Sequence, residues 1–290
     1  MTSDGVGPQP TPDSRPTPRG TVPRQVYLRR RLLVAGAGAA ALYGAGSAVK
    51  ALIGGDLVPE DLGPGPSAYC AAESALERHS AIATARLVYE VDHRATSMRF
   101  DPGFHAQLEA WLREWNSTSA WGEVDELCSQ GAHVAKDDCR SWHAAGRALD
   151  FARLRRGGRE LVSCRTDLWP ADDPVRRSEL ARRYWRLAAS LNLHFDHVLT
   201  HHFDAAHDNH IHVDNGRSGD GMSTFRRTSR VQNQSVQAIC LSLWGRSGEV
   251  TGRWRDTRGL VSPVLDQLGL DDLRDQSQWQ AFLRASMQRA

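Results

Sequence analysis

Two short stretches of this 290-residue chain concentrate the residue types that bind metals and move protons. They are Ser141-Trp142-His143-Ala144-Ala145-Gly146-Arg147-Ala148-Leu149-Asp150 and His207-Asp208-Asn209-His210-Ile211-His212-Val213-Asp214. Five of the 12 histidines fall between residues 201 and 212, a clustering that random scatter explains poorly. Read as a strand, the second stretch puts His210, His212 and Asp214 on one face and the β-branched Ile211 and Val213 on the other. The first works similarly: Leu149 and Phe151 face a core, and Asp150 projects oppositely beside the small Ala148. Gly146 permits a turn that folds His143 back towards Asp150. Two imidazoles and a carboxylate make a catalytic zinc set with a fourth position left for water. Such a set suits amide hydrolysis, because zinc polarises a carbonyl and brings the pKa of water to about 7. A structural or adventitious metal site would cluster histidines too. His201 and His202, as adjacent strand residues, point oppositely and cannot both face one metal.

The elements that must hold these stretches are short. Apolar residues at Phe104, Leu108, Trp111, Leu112 and Trp115 predict an amphipathic helix over about 102–115. Leu180, Tyr184, Leu187, Ala188 and Leu191 predict a second, beginning near Asp173. A short helix is expected over 67–79, and strands over 147–154, 160–164, 197–200 and 210–214. Strands and helices do not alternate regularly, which argues against a doubly wound parallel sheet. The expected class is α+β, a small mainly antiparallel sheet flanked by helices. Residues 232–290 form an additional helical extension, in which Cys240 sits among Val236, Ile239 and Leu243.

Composition divides the chain. Nine of the 13 prolines precede residue 67 and all nine tryptophans follow residue 110. Residues 1–31 read as a disordered basic N-terminus, 32–53 as an export signal or membrane anchor, and 54–66 as a linker. The folded domain is expected over 67–231. Arg29-Arg30-Arg31 followed by an uncharged, weakly apolar run resembles a twin-arginine export signal, so the protein is expected outside the cytoplasm, secreted or wall-associated. It is either cleaved there or left tethered, touching a membrane only through this segment. All five cysteines lie beyond the segment, where disulfides persist. Two bridges and one free thiol leave the pairing open, and a Cys128–Cys139 bridge would rigidify the first motif. The alternative is that buried free cysteines, Cys240 above all, act as small apolar groups. Thirty-six basic against 34 acidic residues leave a net charge of +2, too balanced to mark a nucleic-acid partner. Oligomeric state is not legible.

The pattern Ser-x-His-x-x-Gly-x-Ala-x-Asp followed by His-x-x-His-x-His-Val-Asp resembles the zinc D-alanyl-D-alanine peptidase superfamily, which cuts bacterial wall peptides. Cys139-Arg140, Gly157-Gly158-Arg159-Glu160, Trp169 and Ala205-Ala206-His207 are similar to the extensin-like C-terminal domain family within it. The resemblance covers about 100–216. It implies a zinc D-Ala-D-Ala peptidase-like fold, with His143, Asp150 and His212 as ligands of one Zn2+ and Ser141 orienting a ligand. It also implies a peptidoglycan stem or cross-link peptide as substrate. Many relatives carry an acidic residue three positions before the last ligand; here that position is Asn209, which cannot serve as a base. Relatives with the His-x-x-His-x-His form rely on the middle histidine. His210 is therefore the expected general base, with His207 stabilising the oxyanion and Asp214 orienting an imidazole. The competing expectation is a non-catalytic wall-binding or metal-binding module that keeps the site.

Overall fold

The first helix shows how this sequence builds its elements. Asp101 caps it by accepting from the Phe104 amide at 3.0 Å, and Pro102 occupies the first turn, where its missing N–H costs nothing. From there α1 (Pro102–Thr118) turns Phe104, Leu108, Trp111, Leu112 and Trp115 inwards, all at most 1% exposed. Helix α2 (Pro174–His194) repeats the device, with Asp173 accepting from the Arg176 amide. It buries Tyr184, Leu187, Ala188 and Leu191.

The computed structural model describes residues 70–135, 141–216 and 221–289, all within one unit spanning Asp56–Ala290. Its class is α+β. The strands are β1 (Glu77–His79), β2 (Ala81–Ile82), β3 (Ala85–Tyr89), β4 (Arg94–Ala95), β5 (Met98–Phe100), β6 (Glu126–Gly131), β7 (Ala148–Arg156), β8 (Arg159–Ser163), β9 (His197–Leu199) and β10 (Ile211–Asp214). The large sheet runs β2-β3-β6-β7-β10-β9, with β4 on β3 and β8 on β7; β1 and β5 form a separate ribbon. Within the large sheet β3 and β6 are parallel and the other pairings antiparallel. Strand β7 is the axis: β6 lies on one edge, while β8 and β10 share the other.

One face of this sheet meets the helices. Leu149, Phe151, Ile211 and Val213 join the core formed with α1 and α2. Helices α3 (Arg230–Trp244), α4 (Trp254–Leu268) and α5 (Gln276–Gln288) enter the same core through Val236, Ile239, Val264 and Trp279. They are tied to it by polar contacts as well: Arg186 donates to the Met287 carbonyl at 2.7 Å and Arg284 pairs with Glu114 at 2.9 Å. Among the described residues no helix is long and apolar enough to cross a membrane. The export or anchor segment expected over 32–53 lies outside the described residues.

Two expectations are corrected. The helix over 67–79 is absent from its described part, which holds a single 3-10 turn (Glu73–Ala75) and then β1. Only Leu76 in that stretch is buried, too little apolar surface to hold a helix against the core, whereas pairing with β5 satisfies the backbone. The two-bridge expectation also fails. Cys128, Cys164 and Cys240 are free and buried, so at most one bridge remains and Cys128–Cys139 is not it. The Cys128 side chain packs with Val88 and Ala152 instead, and burial pushes its thiol up to about 11. Cys70 is disulfide-bonded, and Cys139 lies outside the described residues.

Candidate metal centre

Strand pairing brings the two motifs together. In the β7–β10 register His212 lies directly opposite Asp150, and Ile211 opposite Phe151. Alternation then sends His212 and Asp150 off the sheet on the side away from the core. His143 arrives from a 3-10 turn (Trp142–Ala145) closed by Gly146 at φ 66°. A Cβ at Gly146 would lie 2.7 Å from a Leu76 methyl and 2.9 Å from the Asp101 amide nitrogen, so both conformation and space require glycine. Trp142, Ala145 and Ala148 pack beneath the turn.

The three side chains converge. His212 Nδ1 is 2.9 Å from Asp150 Oδ1, His143 Nε2 is 3.1 Å from His212 Nδ1, and His143 Nε2 is 3.3 Å from Asp150 Oδ1. Ligand bonds of about 2.0–2.1 Å in a tetrahedron place donor atoms about 3.3 Å apart, so this triangle needs only slight expansion to hold zinc. The outer contacts fit the same purpose. His143 Nδ1 donates to the Ala132 carbonyl at 2.5 Å, which leaves the Nε2 lone pair inward. His212 Nε2 donates to Asp214 Oδ2 at 3.2 Å, which makes Nδ1 the inward atom. Anchoring the far nitrogen in this way sets the tautomer and orientation that a ligating imidazole needs.

Charge without a metal is held by protons. Burial would lower the pKa of His212, but hydrogen bonds to Asp150 and Asp214 outweigh it and raise the value to about 10. Burial likewise works against the Asp150 carboxylate, yet His143 and His212 hold it well below the usual carboxylate range. An imidazolium shared between two carboxylates occupies the place a divalent cation would neutralise.

The remaining candidates lie around this triangle. His210 directly precedes β10; its Nδ1 donates to Asn209 Oδ1 at 2.6 Å, and its Nε2 faces Asp150 Oδ1 at 3.5 Å. Burial pushes its pKa down to about 4, against a smaller raising effect of Asp150. His207 Nδ1 pairs with Asp204 at 2.6 Å, and its ring centroid lies 5.0 Å from that of His210 and 6.2 Å from that of His212. The loop bearing both histidines is clamped where the Asp208 carbonyl accepts from Thr166 Oγ1 at 2.8 Å and from the Asp167 amide at 3.1 Å. Ser141 Oγ accepts from the His143 amide at 3.4 Å, a contact that shapes the turn bearing the imidazole. His201 and His202 occupy a turn rather than a strand; their ring centroids lie 4.2 Å apart and they pack on Tyr184 and Trp185, away from the triangle.

Three participants were not singled out from sequence. The Ala132 carbonyl acts through backbone, which no residue type betrays. His197 Nδ1 donates to Asp214 Oδ1 at 2.7 Å and extends the chain Asp150–His212–Asp214 by one imidazole. Only the β9–β10 register, which sets His197 opposite Asp214, brings it there. Asp204 stands three residues before His207, a spacing that the sequence does display. Compared with known proteins, the chain matches no family model, no curated protein and no solved structure.

Proposed function

We propose that the protein is an exported zinc-dependent hydrolase that cleaves an amide bond in cell-wall peptide, within a zinc D-Ala-D-Ala peptidase-like fold. The observation that carries this reading is the triangle of His143 Nε2, Asp150 Oδ1 and His212 Nδ1, with both imidazoles anchored through their far nitrogens. Zinc bound there would polarise the scissile carbonyl and acidify a water to a pKa of about 7. His143, Asp150 and His212 are the residues that would hold it. His210 presents the Nε2 lone pair towards the same space, since its Nδ1–H is spent on Asn209, and it takes the proton from the attacking water. His207, steadied by Asp204, lies beside it and stabilises the developing oxyanion. Disulfide bonding of Cys70 supports an oxidising compartment, and with it export. The wall peptide comes from the motif resemblance.

A second reading has its own observation. Asn209 stands where many relatives carry an acid, and His210 is held at about 4, far from the neutral range in which a base works best. A wall-binding module that keeps zinc without turnover accommodates both. Incubating the protein with muropeptides, with and without zinc and chelator, separates the two. Zinc near one equivalent together with chelator-sensitive amide hydrolysis supports the hydrolase; zinc and peptide binding without hydrolysis supports the module.

A further inference from the structure

Arg78 on β1 and Arg99 on β5 are directly opposite in the antiparallel register of the two-strand ribbon. Directly opposed residues project to one face with their Cβ atoms about 5 Å apart, and like charges there are destabilising. The neutralisation of this pair is incomplete. Arg99 pairs with Glu73 at 2.6 Å, while Arg78 donates to Ser97 Oγ at 3.1 Å and to the Ser97 carbonyl at 3.3 Å. Among the described residues no carboxylate pairs with Arg78. Arg78 thus carries a guanidinium bonded to neutral oxygens on the same face as Arg99, a net positive charge held on a short ribbon.

The pair also lines a cavity of about 350 Å³, with Tyr89, Ser97, Ala132 and His133 among its other walls. The Ala132 carbonyl accepts from His143 Nδ1, so the cavity adjoins the backbone that anchors one member of the triangle. We propose that this cavity is a carboxylate-binding subsite, in which Arg78 and Arg99 clamp a carboxylate of the peptide whose amide lies at the metal centre. Guanidinium forks match carboxylate geometry bidentately, and the anion supplies the charge that the opposed pair lacks. Ser97 and Thr96 offer hydroxyls on the same wall. The subsite rests on the hydrolase reading only for the identity of the molecule that bears the carboxylate.

The test uses zinc-loaded full-length protein and two matched pairs of probes. One pair is acetyl-D-Ala-D-Glu amide and acetyl-D-Ala-D-Gln amide, which differ in a side-chain carboxylate. The other is acetyl-D-Ala-D-Ala and its C-terminal amide, which differ in the terminal carboxylate. Calorimetric titration of the wild type should show the acid of one pair binding about tenfold tighter than its amide, the order expected for a charge-assisted contact. The pair that shows the preference identifies the source of the carboxylate. Arg78→Gln should lose part of the preference and the double variant with Arg99→Gln the rest, both with unchanged zinc content. Arg78→Gln leaves the Arg99–Glu73 pair intact, so it answers alone if the double variant does not fold. Loss of its bonds to Ser97 lowers the melting temperature somewhat, so far-ultraviolet circular dichroism and zinc content establish that the variant is folded before its acid preference is read. Equal binding of acid and amide, or a preference that survives both substitutions, overturns the subsite. Hydrolysis followed in parallel keeps the two readings apart: turnover without acid preference removes the subsite and leaves the hydrolase. Arginine-dependent acid preference without turnover does the reverse.

Discussion

In the His143–Asp150–His212 triangle each histidine commits one nitrogen to the protein and turns the other towards the proposed cation site, so single substitutions have separable consequences. His143→Ala, Asp150→Ala and His212→Ala each remove one of three ligand atoms from the side of the sheet facing away from the core. Each should lose most bound zinc while keeping its far-ultraviolet circular dichroism, measured with metal analysis after gel filtration. His210→Ala should keep its zinc and lose about two to four decades of turnover, the range for a positioned general base. If His210→Ala loses zinc as fully as His212→Ala, then His210 is a ligand and not the base. Asn209→Asp should act in the opposite sense. A carboxylate accepting from His210 Nδ1 stabilises the imidazolium, so the acid limb of the pH–rate profile should move up from about 4 towards neutrality. Zinc affinity should follow His212. Its pKa of about 10 in the metal-free protein means that binding expels a proton throughout the neutral range. Apparent affinity should therefore rise about tenfold per pH unit through neutrality and flatten above the folded pKa. A zinc titration that releases no protons at pH 7 would remove the shared imidazolium.

The elements have a division of labour. Strand β7 carries Leu149 and Phe151 into the core and Asp150 out of it, and β10 does the same with Ile211, Val213 and His212. A one-residue slip of β10 against β7 would turn His212 into the core and away from Asp150, so the apolar alternation sets which of these side chains meet. The turn before β7 is more fragile, because it depends on one glycine. Gly146→Ala meets a left-handed conformation costing about 1–2 kcal/mol and, in addition, contacts under 3 Å with Leu76 and the Asp101 backbone. The denaturation midpoint should fall by more than the conformational cost alone predicts, and zinc affinity should fall with it as His143 is displaced. An unchanged midpoint would show that the turn relaxes without strain. Gly216 is a counterpart on the other side: at φ 50°, its Cβ would come within 2.8 Å of the His197 ring that supports Asp214.

For the whole molecule, the extension over 232–290 shares one core with the domain before it. Trp279 donates to Ser223 Oγ at 2.8 Å, Arg186 to the Met287 carbonyl at 2.7 Å, and α3 and α5 both pack along α2. Deleting 232–290 would expose the buried flanks of α2 and should give an aggregating product. Removing 1–65, in contrast, leaves Cys70 and every described element in place. That shorter chain should be monodisperse on gel filtration, bind zinc as the full chain does, and melt cooperatively. Aggregation of the shorter chain would show that the proline-rich stretch has a structural task.

Much of this was legible because it is local. The alternation in 148–151 and 211–214, the caps Asp101-Pro102 and Asp173-Pro174, and the spacing of His143, Gly146 and Asp150 are patterns whose physical effect lies within a few residues. They suffice for an α+β class and for residues suited to a zinc ligand set. What they leave open depends on partners distant along the chain. Strands β3 and β6 went unread because neither alternates cleanly: adjacent Leu87 and Val88 are both buried on β3, and Glu126, Ser129 and Gln130 interrupt β6, so their place comes from their neighbours. The anchor for His143 is a backbone carbonyl, and the support for Asp214 is a histidine 17 residues away. Arg78 and Arg99 are ordinary surface residues until strand register sets them face to face. Residue types are written in the sequence, but which side chain meets which is settled by register and packing, because those energies depend on contacts that exist only after the chain has closed on itself.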